Sequence, residues 1–230
     1  MYNTVSYSGD DKMSDLICCH YPMLLVLSRF NIPLGFGEKT IEEVCCENNV
    51  HSATFLAVVN MLLDEHRKVP EKELMEISID SLLDYLHNSH SYFLDYRLPA
   101  IRAKLIEAIN YGDKDVTFVI IRFFDVYVAE VRKHMLYEEE TVFTYVKELF
   151  SGKSTGNYGI SIFKKQHNQV EARLTELKNI LIKYFPNGGE NELNSVLFDI
   201  FSCEKDLASH NDIENYLLVP AIMRLENSKL

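Results

Sequence analysis

Two short stretches, HMLYEEE at residues 134–140 and HNDIEN at residues 210–215, decide the fold. Each places a histidine four residues before a glutamate, within an apolar pattern of helical period. Residues four apart lie one above the other on the same face of a helix, so each stretch can direct one imidazole and one carboxylate at the same point. Two such helices facing each other would offer two nitrogens and two carboxylates, a mixed donor set that suits iron.

The overall composition indicates a globular protein with a substantial core, since the chain has 230 residues of which 47% are hydrophobic. A net charge of −11 and the lack of a Lys/Arg cluster argue against a nucleic-acid groove. No apolar run approaches the roughly 18 residues of a membrane span, and residues 1–12 lack the layout of a signal peptide. We therefore expect a cytoplasmic protein with no membrane partner and no direct contact with nucleic acid.

The cysteines do not form a recognisable metal or redox motif. Their number, five, is odd, and four of them form the adjacent pairs Cys18-Cys19 and Cys45-Cys46, with Cys203 apart. Neither pair has the C-x-x-C spacing of a zinc or redox site, so we expect free thiols in a reducing compartment.

The chain divides by composition into a tail, a small domain, a linker and a large domain. The predicted boundaries are a flexible tail at 1–12, a small helical domain at 13–63, a charged linker at 64–79, and a helical bundle at 80–230. Within the small domain, Thr40 and Glu43 have the spacing of a capping box, and Ser52 is predicted to cap the following helix.

Four long amphipathic segments make up the large domain. They run from about Ser81 to Asn110, Val116 to Phe150, Ile160 to Phe185, and Asn191 to Leu225. Pro99 is predicted to kink or break the first segment, and strand-like alternation is absent throughout. Four long helices with short connections predict an all-α, up-down-up-down four-helix bundle.

Each of these segments carries a histidine on its apolar face. They are His90 (with His87 one turn earlier), His134, His167 and His210, and two of the segments add Glu138 and Glu214. A single histidine in such a pattern is more often a core residue whose hydrogen bonds are satisfied, and a single His-x-x-x-Glu pair more often lies on the surface. Together they would place several ionisable side chains near the midline of one bundle. Burying each charge costs several kcal/mol of folding free energy unless a metal binds there. Six or more N/O ligands with bridging carboxylates suit two iron ions, which we rank ahead of manganese and zinc.

With these motifs, residues 80–225 resemble the hemerythrin-like, or HHE cation-binding, family, and within it the repair-of-iron-centres proteins, which are implicated in iron–sulfur cluster repair. The resemblance is carried by His134 to Glu139 with Phe143, by Gln166-His167, by His210 to Asn215 with Pro220, and by His90 before Leu98-Pro99. It implies a non-haem di-iron site with His90, His134, His167 and His210 as terminal ligands and with Glu138 and Glu214 as bridges. His87 is the rival of His90 for the first position.

The small domain carries a second resemblance. Residues 28–45 are similar to the short helical domain that precedes the bundle in the repair-of-iron-centres proteins, where the loop carries a Cys-Cys-Gly-Gly motif. Here Gly35-Phe36 stands in place of the two cysteines, so the thiol chemistry of that motif cannot occur at this loop. The departure weakens an assignment to repair and leaves the di-iron assignment untouched.

The resemblance therefore implies a di-iron protein that binds or senses O₂, NO or another oxidant, with a link to iron–sulfur repair under oxidative or nitrosative stress. The alternative is a signalling module, in which the bundle senses oxygen or redox state and the small domain binds a protein partner. A metal-free bundle is the third hypothesis, and a homodimer is a further expectation. No catalytic residue is assigned.

The sequence does not decide the roles of four tyrosines and one glutamate near the predicted ligands. Tyr92, Tyr127, Tyr137 and Tyr216 are close to ligands in sequence, and one of them could donate a hydrogen bond to a bound molecule. Ordinary packing with the hydroxyl at the rim is the favoured interpretation for any single tyrosine. Glu171, four residues after His167, is either an outer partner of that histidine or a solvated charge.

Overall fold

Helices account for the regular structure of the chain. The structure is a computed structural model that describes residues 6–64, 67, 69–110, 112–151, 158–166, 172–185 and 190–228. In these ranges the only β-type pairing is an isolated bridge between Lys12 and Thr40. The same ranges contain no helix with the length and apolar composition that crossing a membrane requires. The predicted all-α fold is confirmed.

The helices group into two compact units. One unit comprises Met1–Ser89 together with Asp212–Leu230, and the other comprises His90–Asn211. Both divisions fall inside continuous helices.

The first part of the chain forms five short helices. They are α1 Met13–Cys19, α2 Met23–Arg29, α3 Ile41–Glu47, α4 Ser52–Leu63 and α5 Glu71–Glu76. Their core includes the rings of Phe30, Phe55 and Tyr85, with ring centroids 5.4 Å apart for Phe30 and Phe55 and 4.8 Å apart for Phe30 and Tyr85. Close aromatic contacts of this kind give a small unit a large apolar burial from few side chains.

The start of α3 carries the capping box that its sequence predicts. The backbone N–H of Glu43 donates to Thr40 Oγ1 at 3.2 Å, and the backbone N–H of Thr40 donates to the Glu43 carboxylate at 2.8 Å. The predicted cap of α4 was wrong, because Ser52 is already the first helical residue. His51 caps this helix instead, through a ring nitrogen that accepts the N–H of Thr54 at 3.4 Å.

The loop before α3 depends on two glycines for its backbone conformation. Gly35 and Gly37 have φ of +103° and +61°. A Cβ at either position would meet no atom within 4 Å. Left-handed backbone, rather than lack of space, is therefore what favours glycine at both positions.

Part of the predicted linker is ordered structure packed on α4. Helix α5 lies inside it, and after this helix the backbone N–H of Ser78 donates to Thr54 Oγ1 at 2.8 Å. Ile77 and Ile79 on either side are buried. The domain boundaries themselves stay a prediction.

The four predicted long segments are helical wherever the structure describes them, except at the terminal residues Asn110 and Phe185. The first run is α6 Ile79–Ser91, π1 Tyr92–Arg97 and α7 Leu98–Ile109, and the second is α8 Lys114–Tyr137, π2 Glu138–Phe143 and α9 Thr144–Phe150. The third consists of α10 Ile160–Gln166 and α11 Ala172–Tyr184, and the fourth of α12 Glu190–Ile213, π3 Glu214–Leu218 and α13 Val219–Ser228.

The unit His90–Asn211 has a hydrophobic core to which all four runs contribute. Leu98, Phe124, Leu177 and Ile200, one from each run, are all nearly inaccessible to solvent within it. Apolar faces of four helices that share one core make a helical bundle.

Three wide turns of π-helix interrupt these runs, and two of them precede a proline. Pro99 follows π1 by two residues and Pro220 follows π3 by two residues. Proline lacks an N–H and crowds the carbonyl four residues earlier, so a wider turn accommodates it without ending the helix. In the second run no proline follows π2 closely; Thr144 comes directly after it, and the Thr144 hydroxyl donates to the Glu139 carbonyl at 3.4 Å. The break considered for Pro99 does not occur, since the helical run continues through it.

Thiol accessibility provides a direct check of this packing. Cys18, Cys19 and Cys46 are exposed, whereas Cys45 and Cys203 are buried. Burial also raises the pKa of Cys45 to about 12, which suppresses its reactive thiolate. We expect a thiol-reactive dye at neutral pH to label Cys18, Cys19 and Cys46 in the native protein, and Cys45 and Cys203 only after denaturation. Peptide mapping of the labelled protein identifies the sites, and rapid native labelling of Cys45 would contradict the packing of α3.

Candidate metal centre

Four buried side chains from three of the helical runs meet at one point. His90, Glu138, His210 and Glu214 each offer a ligand atom, and these atoms all lie within 4.8 Å of one another. The exposed fractions of these residues are 3%, 0%, 1% and 0%, respectively. Glu214 follows His210 by one turn of the continuous helical run 190–228, as the sequence spacing predicts.

The two imidazoles of this group face each other through their Nε2 atoms. His90 Nε2 lies 3.2 Å from His210 Nε2, and the ring centroids are 5.0 Å apart. Phe93 meets the His210 ring edge to face, at 5.9 Å between centroids. Neutral imidazole has one ring nitrogen with a free lone pair, so two converging Nε2 atoms are arranged as cation ligands are.

The carboxylate of Glu138 lies between two histidines. Its Oε2 is 3.2 Å from His90 Nε2, and its Oε1 is 2.9 Å from His134 Nε2. The His134 side chain is 18% exposed, so it lies at the edge of the buried group. Each oxygen of this one carboxylate therefore faces a different imidazole.

The orientation of His90 is set by the same turn that carries Glu138. The Nδ1 atom of His90 lies 2.7 Å from Glu139 Oε1. Phe143 stacks on the His90 ring with 5.6 Å between centroids and 11° between planes. The spacing of ligands in the sequence did not single out Glu139, because a run of three consecutive glutamates, 138–140, does not show which of them turns inward.

The remaining predicted site residues differ in exposure, and two of them are not described. His87, the rival of His90, is exposed. His167 and Glu171 lie outside the described residues. Of the tyrosines near the ligands, Tyr127 is buried and Tyr216 is 58% exposed.

A small cavity lies against His134. Its volume is about 20 Å³, which is enough for roughly one water-sized molecule. Its lining is mostly apolar: Tyr127, Val131, His134, Met135, Leu174, Glu204, Leu207 and Asn211. Beyond His134 in sequence, the Tyr137 hydroxyl lies 3.2 Å from the Tyr158 hydroxyl, and burial raises the pKa of Tyr158, so that this phenol stays neutral.

The donor set fits a transition-metal cation. Two carboxylates and two imidazoles buried within 4.8 Å are costly in a low-dielectric interior, and a cation offsets that cost by using both kinds of donor. Oxygen and nitrogen donors with no thiolate among the four favour iron, manganese or zinc.

Fold and site together define a helical-bundle protein with a buried histidine–carboxylate group that could hold a cation. The model of the hemerythrin HHE cation-binding domain matches residues 57–222, and the chain belongs to this family. The predicted hemerythrin-like fold is thereby confirmed. No curated protein matches the chain. The likeness to the repair-of-iron-centres proteins, including that of the small domain, stays a prediction.

Proposed function

We propose that this protein holds two iron ions and binds or senses a small oxidant or diatomic molecule such as O₂, NO or peroxide. The observation that carries the proposal is the meeting of His90, Glu138, His210 and Glu214 within 4.8 Å in the interior. When bound, iron supplies a redox-active centre that coordinates such molecules directly. His90, His134, His167 and His210 are proposed as terminal ligands, and Glu138 and Glu214 as bridges.

The position of Glu138 supports two cations rather than one. Its two oxygens lie near different imidazoles, His90 on one side and His134 on the other. A carboxylate placed in this way can give one oxygen to each of two neighbouring cations. The His90 side already has His210 beside it, so the proposed second position lies on the His134 side.

The cavity supports a small neutral molecule as the guest. It touches His134, and its volume of about 20 Å³ suits a molecule of roughly the size of water or a diatomic. Val131, Met135 and Leu207 give it an apolar wall, and apolar surroundings limit the access of solvent to a metal site. Tyr127, which is buried and lines this cavity, is the tyrosine best placed to donate a hydrogen bond to the guest.

Metal content and optical absorption test the proposal directly. Protein purified without chelator is expected to contain about two iron ions per chain and to absorb in the near-ultraviolet and visible. Addition of NO to the reduced protein, or of peroxide, should change that absorption. Protein that contains no iron and takes up no ferrous ion under anaerobic conditions would refute the di-iron proposal. Stoichiometric zinc instead would keep the site but remove the oxidant chemistry, because zinc is redox-inert, and stoichiometric manganese would keep the site and refute the iron assignment.

The small domain favours signalling as a second candidate function. Gly35-Phe36 replaces the cysteine pair expected of a repair protein, and Tyr21 and Leu34 in the same domain are 78% and 68% exposed. Exposed apolar side chains of this kind can contact a protein partner, here a regulator that responds to the state of the bundle. Transfer of iron from the loaded protein to an apo iron–sulfur protein separates the two functions, since repair requires transfer and signalling does not.

A further inference from the structure

Glu139 contacts a candidate ligand on the side that faces away from the other donors. Its Oε1 lies 2.7 Å from His90 Nδ1, while His90 Nε2 lies 3.2 Å from both His210 Nε2 and Glu138 Oε2. The two nitrogens of one ring therefore have separate tasks. Nε2 points into the group of donors, and Nδ1 points to a carboxylate outside it.

This contact favours one of the two ring nitrogens as the carrier of the proton. Both nitrogens of His90 lie near a carboxylate oxygen, but the distance from Nδ1 to Glu139 is 2.7 Å and that from Nε2 to Glu138 is 3.2 Å. Because a carboxylate accepts hydrogen bonds, the shorter contact favours a donating N–H on Nδ1. The neutral ring then has its lone pair on Nε2, where a cation would be bound. Without an acceptor at Nδ1, the ring could carry its proton on Nε2 and would have to exchange it before binding a cation.

The turn that carries Glu139 also fixes the plane of the His90 ring. Phe143, four residues after Glu139, stacks on the ring face with the planes 11° apart. Both residues belong to π2, which begins with Glu138 itself. The turn π2 thus supplies the proposed ligand Glu138, and its Glu139 and Phe143 both contact the second proposed ligand, His90. Wide turns of this kind occur frequently at functional sites.

We propose that Glu139 is a positioning residue, which holds His90 in the Nδ1–H form with Nε2 open to the cation. The proposal rests on the proposed function, because it assigns His90 as a ligand. It separates three neighbouring glutamates by role: Glu138 lies among the donors, Glu139 orients a donor, and Glu140 is exposed. Glu140 therefore offers a control with the same charge in the same turn.

The experiment compares Glu139→Ala, Glu139→Gln and Glu140→Ala with the wild-type protein. Ferrous-ion affinity is measured anaerobically by competition with a coloured chelator, and circular dichroism of the metal-free proteins shows whether each variant is folded. Loss of an outer carboxylate partner weakens metal affinity by roughly 10–100-fold, so this is the expected effect of Glu139→Ala. Glu139→Gln should recover most of the affinity, because its amide oxygen still accepts the Nδ1 proton, and Glu140→Ala should bind like the wild type.

A second readout does not depend on metal. In metal-free protein labelled with ¹⁵N, the imidazole resonances of His90 are expected to show Nδ1 protonated in the wild type and in Glu139→Gln. In Glu139→Ala they should shift toward protonation of Nε2. A purely structural role for Glu139 would leave this balance unchanged.

The outcomes separate this proposal from the proposed function. If the wild type binds iron and Glu139→Ala binds it as tightly as Glu140→Ala, the positioning role is refuted and the di-iron function stands. If the wild type binds no metal, the proposed function fails and the positioning role fails with it. Reduced affinity in Glu139→Ala with rescue by glutamine supports both.

Discussion

Replacing Glu138 by alanine is expected to remove most of the bound metal, and Glu214→Ala is expected to do the same. Both carboxylates are fully buried and belong to the group of four donors. Outer partners of ligands already contribute roughly 10–100-fold to metal affinity, so the loss of a bridging ligand should exceed about 100-fold. Iron content after purification and ferrous-ion affinity by chelator competition measure the effect.

The same substitutions should remove the stabilisation that metal gives to the fold. A ligand present at 100 times its Kd stabilises the native state by about 2.7 kcal/mol. For a chain of this size that corresponds to a rise in Tm of about 5–10 °C on metal loading. We expect this rise in the wild type and in Glu140→Ala, and little or none in Glu138→Ala or Glu214→Ala.

The comparison of loaded with metal-free protein makes this prediction independent of other effects of the substitutions. Any change that alanine causes in packing is present in both states and cancels in the difference. If Glu138→Ala and Glu140→Ala show the same rise in Tm on loading, then Glu138 does not bind metal and the assignment of bridges is wrong. Notably, retention of metal by Glu214→Ala alone would place the bridge at Glu138 only.

Much of the fold follows from periodicity and capping signals in the sequence. Apolar residues at helical spacing locate the four long runs, and Thr40 with Glu43 locates the start of α3 through two backbone hydrogen bonds. The start of α4 was missed because a histidine ring nitrogen can accept the capping hydrogen bond that a serine usually accepts. Residue type alone does not show which of two adjacent polar side chains, His51 or Ser52, reaches the free N–H.

The wide turns could not be predicted from the apolar pattern. A π-turn changes the helical register locally by one residue, which is too small a change to show in a period taken over a long segment. Prolines 99 and 220 are the only local signal for π1 and π3, and proline equally predicts a kink or a break. At π2 even that signal is absent, since no proline follows it closely in the sequence.

For the site, the spacing of residues predicts which side chains share a face of one helix. It does not predict which side chains of other helices they contact. The intervals from His134 to Glu138 and from His210 to Glu214 place each pair on one side of a helix, and the structure brings three of these residues into the group of donors. The contact between Glu139 and His90 joins residues from separate helical runs. Such a contact depends on how the runs pack, which a single sequence does not specify.

Replacing His90 by alanine is expected to abolish metal binding, whereas His87→Ala is expected to leave it unchanged. The two histidines are one turn apart on α6, and the sequence alone leaves either as the first ligand. His90 is 3% exposed and its Nε2 is 3.2 Å from His210 Nε2, whereas His87 is exposed. Ferrous-ion affinity and the absorption of the iron-loaded protein measure both variants.

A third variant, His90→Gln, distinguishes loss of a ligand from loss of packing. Glutamine keeps most of the side-chain volume against Phe143 but offers an amide in place of the imidazole nitrogen. Both His90 variants should lose iron if His90 is a ligand, whereas only alanine should do so if the ring merely fills space. Loss of iron in His87→Ala, with normal binding in His90→Gln, would move the first ligand to His87. Because Glu139 acts through His90, that result would also remove the basis for its positioning role.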